Sequence, residues 1–162
     1  MISATHMAES YDRNVEIVKM QTAGLSHTDS LVQLPFRGNC MNWLVGHLVT
    51  NRYNVLKLLT GEMPPEAQRV ARYTRESQPI TCEDEGVLTL EELLEILEQT
   101  QRRLADCLAT TTPEALDRQV AFFGRRSMTV GEWLLFFFFH DSYHTGQTEI
   151  LRQAAGKDDK VI

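Results

Sequence analysis

Two histidines four residues apart, His140 and His144, lie in a stretch that reads as one long helix, residues 129–156. Four residues at 3.6 per turn rotate by only about 40°, so the two imidazoles share one face, one turn apart. Placed that way, two rings can hold a single metal ion from one helix. A third histidine, His47, falls in a second helical stretch, residues 40–60, on a stripe with Trp43, Leu44, Asn51 and Asn54. The stripe around His140 carries Trp133, Phe136 or Phe137, His144, Gln147 and Leu151. Both stripes are expected to face the interior of a helical bundle. Three inward nitrogens from two helices can converge and leave at least one coordination position open, as in a catalytic rather than a closed structural site. The competing reading is three core histidines, each hydrogen-bonded to a neighbour. A His-x-x-x-His pair without the glutamate of the zincin helix is a weak pattern taken alone.

Several neighbours have two readings each. Gln147, one turn after His144, is either a partner of a histidine or metal-bound water, or a helix-packing amide. Asn51 and Asn54 share the stripe of His47, and a polar cavity lining is favoured because inward asparagines need partners. Trp43 is expected to wall the same pocket. Asp141 and Tyr143 lie about 80–100° off the histidine stripe, so surface or side packing is favoured over contact with a ligand. Cys40 sits two turns before His47. It reads as a pocket thiol with a lowered pKa in a helix's first turn, or as a packed thiol, and packing is favoured. Arg152 either binds an acidic group of a substrate or is an ordinary cation near a helix C-terminus.

These residues must be positioned by helices. Met7, Tyr11, Val15 and Val18 give residues 5–24 an amphipathic helix. Residues 25–38 read as a loop. Asn39 is the expected N-cap of the second helix, which Gly61 closes with Pro64-Pro65 beyond it. Gly46 inside that helix costs about 1 kcal/mol relative to alanine, which implies a close contact there. Thr89-Leu-Glu-Glu92 and Thr129-Val-Gly-Glu132 are capping boxes opening the third and fourth helices. Thr112-Pro113-Glu114 starts a short helical turn, and the rest of the segment to Arg126 reads as a long connection. With almost no strand signal, the fold class is all-α, a four-helix bundle forming one domain over residues 1–162. The connection over residues 62–88 is long enough to cross the whole bundle and leave helices 2 and 3 parallel.

Composition narrows the partners. Sixteen Lys plus Arg against 22 Asp plus Glu leave a net charge of −6. The longest basic runs are the pairs Arg102-Arg103 and Arg125-Arg126, so no nucleic-acid footprint is present. The longest apolar run, Trp133 to Phe139, is far short of the roughly 20 residues that span a bilayer. No leader is recognisable, and three widely spaced cysteines read as free thiols, so a cytoplasmic location is expected. Phe136 to Phe139 wrap nearly the whole circumference of the fourth helix, where a bundle needs a polar outer face. A homodimer packing that helix against its copy is the preferred explanation.

The motifs Asn42-Trp43-x-x-Gly46-His47 and His140-x-x-x-His144-x-Gly146-Gln147-x-x-x-Leu151-Arg152 resemble those of the DinB-like (DinB/YfiT) metalloenzyme superfamily, and the resemblance covers essentially the whole chain. It implies an up-down-down-up bundle and a divalent metal, nickel or zinc, held by His47, His140 and His144. It also implies a thiol-dependent S-transferase or isomerase that uses a low-molecular-weight thiol on small electrophiles, and a dimer. The alternative is a non-catalytic metal- or ligand-binding or stress-response protein. No catalytic residue beyond the ligands is identified, and the substrate is a small molecule of unspecified kind.

Overall fold

The structure, a computed structural model, describes residues 3–122, 124 and 127–162; the Arg125-Arg126 pair lies outside the described residues. Four long helices carry the core: α1 (Ala4–Thr22), α3 (Met41–Thr60), α4 (Leu90–Ala109) and α6 (Val130–Ala154). Between them lie α2 (His27–Ser30), a 3-10 segment (Pro65–Tyr73), α5 (Pro113–Asp117) and two short strands, β1 (Gln119–Ala121) and β2 (Ser127–Thr129).

Local chemistry fixes the helix ends. Thr89 and Thr129 each accept from the amide three residues on, and the carboxylates of Glu92 and Glu132 reach back to the cap amides, so both expected capping boxes form. Gly61 adopts φ 88°, a left-handed conformation that costs glycine nothing, and its amide closes α3 onto the Lys57 carbonyl. The N-cap of α3 is Cys40, not Asn39, and its side chain makes no capping bond.

The apolar stripes explain the packing. In α1, Met7, Tyr11, Val15 and Val18 are buried at spacings of four, four and three. In α4, Leu93, Leu97, Leu104 and Leu108 are buried on one face. α1 packs against α4 and α6, and α3 packs against the same two, which closes a ring of four around one core. α3 is enclosed almost all round: every residue from Met41 to Val49 is buried.

Three features escape the expected pattern. The loop over residues 25–38 contains α2, opened by a capping box between Ser26 and Asp29. The long link after α3 holds the 3-10 segment, which folds back over α3 and buries Val70 and Tyr73. The connection before α6 forms an antiparallel hairpin pairing Val120 with Met128. The Trp133 indole donates to the Val120 carbonyl at 2.9 Å and ties this hairpin to α6.

Gly46 is where the link meets the helix. A Cβ on this residue would lie 2.1 Å from Cδ1 of the Tyr73 ring, closer than real atoms approach. The glycine therefore admits a buried tyrosine against the α3 backbone, as its position in mid-helix implied.

Candidate metal centre

His47, His140 and His144 converge. Their candidate ligand atoms all lie within 4.8 Å of one another, and no other group of three or more His, Cys, Asp or Glu side chains among the described residues is placed to hold an ion. The ring centroids are 5.1 Å apart for His47–His140, 5.0 Å for His47–His144 and 4.5 Å for His140–His144.

Hydrogen bonds aim the rings. His47 Nδ1 lies 2.9 Å from the Tyr73 carbonyl oxygen, which can only accept, so this nitrogen carries the proton and Nε2 presents its lone pair. His144 Nδ1 lies 2.7 Å from Gln147 Oε1, which sets the same tautomer. The Trp43 indole stacks on the His47 ring at 4.6 Å and 14°, and its Nε1 donates to Ser77 Oγ at 2.9 Å. His47 Nε2 and His140 Nε2 are 3.3 Å apart. Two nitrogens bound at 2.0–2.1 Å to one tetrahedral ion stand about 3.3 Å apart. His140 Nδ1 is buried with no hydrogen-bond partner among the described residues, so nothing else claims that ring. The donor set, its spacing and its tautomers fit a divalent ion.

Electrostatics keep the lone pairs free. Burial pushes the His47 imidazole down to about 4, against a smaller upward pull from the Tyr73 carbonyl. Burial, followed by the charges of His144, His47 and Arg75, takes His140 to about 4. His144 is also lowered by burial, with Gln147 opposing. All three rings are neutral at pH 7, as metal ligation requires.

A buried ion pair braces the centre. Asp141 is fully buried and pairs with Arg52, also buried, at 2.9 Å. The Asn51 amide donates to Asp141 Oδ1 and to the Phe137 carbonyl. Arg52 goes on to donate to Gln101 Oε1 at 2.7 Å and to the Tyr11 carbonyl at 3.0 Å, with its guanidinium 4.4 Å above the Tyr11 ring. Burial raises the Asp141 carboxyl, while Arg52 and Asn51 pull it down. The residue after a candidate ligand is thus bound to α1, α3 and α4 together.

This corrects the expected placement of Asp141. The inward face of α6 centres on Phe137, Asp141, Thr145 and Thr148, all buried, and the two histidines sit half-buried on its flank. That flank opens onto space. A cavity of about 810 Å³ is walled by Met63, Pro65, Val70, Phe136 and Phe137 and reached by Asn51 and Asn54. A second, of about 560 Å³, is bordered by Trp43, His144, Gln147 and Tyr143. His47, His140 and Arg75 border both.

Two other expected neighbours lie elsewhere. The Cys40 thiol is 1% exposed, lines neither cavity at the centre and donates to the Ile80 carbonyl at 3.4 Å. Burial raises its pKa, outweighing any helix-terminus effect. Arg152 donates to the Gln21 and Ala23 carbonyls at 2.9 and 2.7 Å and pairs with Asp159, so it fastens the end of α1 and the C-terminal tail instead of facing the histidines. The sequence reading missed Tyr73, Arg52 and Arg75. An arginine in mid-helix among apolar neighbours was the available signal for Arg52; a tyrosine in a proline-flanked link carries no periodic signal.

A mostly helical chain with three converging imidazoles on two of its long helices fits a metal-binding type of helical protein. A family model described as the DinB superfamily matches residues 23–148, and the chain belongs to that superfamily. Among solved structures, it resembles the crystal structure of the conserved protein of locus from Enterococcus faecalis. The TM-score is 0.75 and the identity 16%, with 97% of this chain and 99% of that one covered. That likeness concerns the fold. No curated protein matches. No helix among the described residues is long and apolar enough to cross a membrane.

Proposed function

We propose that this protein is a divalent-metal-dependent enzyme in which His47, His140 and His144 hold nickel or zinc. In this reading it transfers a low-molecular-weight thiol to, or isomerises, a small electrophile. The observation that carries the reading is the tautomer pattern. Tyr73 and Gln147 occupy the Nδ1 protons of His47 and His144, so the Nε2 lone pairs of both rings are turned to one point beside His140. A divalent ion there would supply Lewis acidity that lowers the pKa of a thiol or water at the open position. The chain's own residues do the rest. Trp43 shields one face of His47, the larger cavity offers an apolar wall of Met63, Pro65, Val70 and Phe136 to a substrate, and Asn54 offers a polar contact. A non-catalytic metal- or ligand-binding protein is the second reading, favoured by the lack of an assigned general base beside the three histidines.

The family relation also supports an up-down-down-up bundle in one domain, with the long link crossing between α3 and α4, and a cytoplasmic protein acting on small molecules without nucleic acid or membrane. A homodimer through α6 belongs to the same proposal, on a revised surface. Phe137 is in the core and Phe138 packs edge-on against Tyr11 at 5.6 Å. The exposed face is formed by Leu135, Phe136, Phe139, Tyr143 and Ile150, with Phe139 68% exposed.

Metal analysis of untagged protein tests the centre: about one ion per chain is expected, with His144→Ala losing most of it. Equal metal in parent and variant overturns the ligand assignment. Turnover of an electrophile panel with glutathione or bacillithiol by the metal-loaded protein, absent in His47→Ala, supports the enzyme. No difference between the two leaves the binding protein.

A further inference from the structure

The smaller cavity has a charge character that the metal reading does not use. Arg37 and Arg75 border it, together with Asn39, Gln147 and Tyr143, and no Asp or Glu among the described residues does. The chain carries a net charge of −6, so an acid-free hollow bordered by two arginines departs from its average surface. Among the described residues, neither Arg37 nor Arg75 enters an ion pair, whereas Arg52 and Arg152 are each paired with an aspartate. Both guanidinium groups are exposed and need no desolvation-compensating partner of their own. Arg75 also borders the larger cavity and is close enough to act electrostatically on His47 and His140.

The geometry assigns this cavity, we infer, to the carboxylate end of a small ligand: Arg75, with Arg37 bordering the same cavity, binds the carboxylate while the other end of the molecule reaches the three histidines. A guanidinium fork matches a carboxylate in two parallel hydrogen bonds, which fixes direction as well as affinity. Asn39 and Gln147, which also border it, carry amide groups that can donate to the same carboxylate. The inference deepens the proposed function by naming a substrate class. It rests on the metal reading only for where the far end of the ligand goes.

The probes are ω-mercaptoalkanoates with two to five methylenes and the mercaptoalcohols of equal length, titrated into the cobalt-loaded protein. Thiolate-to-cobalt absorption reports the sulfur end, so the two series differ only at the far end. At the best length, the carboxylate is expected to bind at least tenfold more tightly than its alcohol at low salt. Arg75→Gln should bring that ratio close to one without changing affinity for the alcohol. Arg75→Lys should keep part of the preference, and Arg37→Gln should reduce it by a smaller factor. Equal affinities for acid and alcohol at every length would overturn the inference. So would a preference that survives in the Arg37→Gln/Arg75→Gln double variant, which would place the carboxylate on the metal. Cobalt stoichiometry is read first on every variant. A protein that takes up no cobalt refutes the metal reading instead, and quenching of tryptophan fluorescence by the same acids and alcohols, read in parent and Arg75→Gln, then decides the anion site by the same criterion.

Discussion

Replacing Gly46 by alanine should damage the centre without touching a ligand. The added Cβ would stand 2.1 Å from Tyr73 Cδ1, 2.3 Å from Cγ and 2.6 Å from Cε1, where ordinary contact begins at 3.4 Å. The ring must therefore retreat by more than 1 Å, and it is fully buried, with its hydroxyl bound to Asn42 and to the Leu88 amide. Overpacking of this kind costs ~1–3 kcal/mol, and a broken buried hydrogen bond adds ~1 kcal/mol. Alanine returns at most ~1 kcal/mol of helix propensity. A net loss of ~1–3 kcal/mol is expected, which lowers the melting temperature by roughly 3–10 °C for a chain of this size. The same retreat moves the Tyr73 carbonyl that orients His47 at 2.9 Å. Losing such a partner weakens metal affinity by roughly 10–100-fold. Thermal denaturation of the metal-free protein and competitive zinc titration read the two effects separately. Tyr73→Ala should relieve the clash, so the double variant should lose less stability than the sum of the two single variants. A Gly46→Ala protein with an unchanged melting point and unchanged zinc affinity would refute the reasoning.

Three further outcomes follow from the same contacts. Gln147→Leu removes the acceptor from His144 Nδ1; zinc affinity should fall roughly 10–100-fold with little change in urea denaturation. Asp141→Ala leaves Arg52 buried and unpaired; urea denaturation should show a loss of ~3–5 kcal/mol, much more than the Gln147 variant shows. The third concerns pH. The folded values of His47 and His140 lie near 4, below the ordinary 6.5, so between these limits the unfolded chain binds more protons than the folded one. Stability of the metal-free protein should therefore rise with pH across that window and be lost as pH falls from about 6.5 toward 4. His47→Gln should flatten that slope, and an unchanged slope in His47→Gln/His140→Gln would show that the two rings are not buried neutral.

The frame was readable because its signals are local. Capping boxes at Thr89 and Thr129, the stop at Gly61 and the leucines of α4 each act within a few residues. The three histidines were readable because two lie one turn apart and Gly46-His47 marks the third. What stayed hidden depends on contacts between distant segments. Tyr73 acts through its carbonyl, which carries no side-chain signature. Asp141 was misplaced because the run Phe136–Phe139 blurs the polar and apolar faces of α6, so the true inward face could not be separated from its flank by periodicity. Cys40 had two readings, and its burial, with the thiol donating to the Ile80 carbonyl, agrees with the favoured one, a packed thiol whose pKa is raised.

The link between α3 and α4 divides the protein into two parts with different tolerances. The four long helices hold the histidines and the buried ion pair, and a change there disturbs packing throughout. Met63, Pro65, Val70 and Arg75 belong to a segment that packs mainly on α3 and reaches α4 through the Arg69–Glu92 and Glu66–Arg103 ion pairs, yet they shape the space in front of the histidines. Substitutions in this segment, the buried Val70 and Tyr73 apart, can alter the size and charge of that space while the bundle and its ligands stay as they are. A lineage could in this way exchange one small molecule for another by redrawing a single connection, which makes this segment the place where related chains should differ most in what they accept.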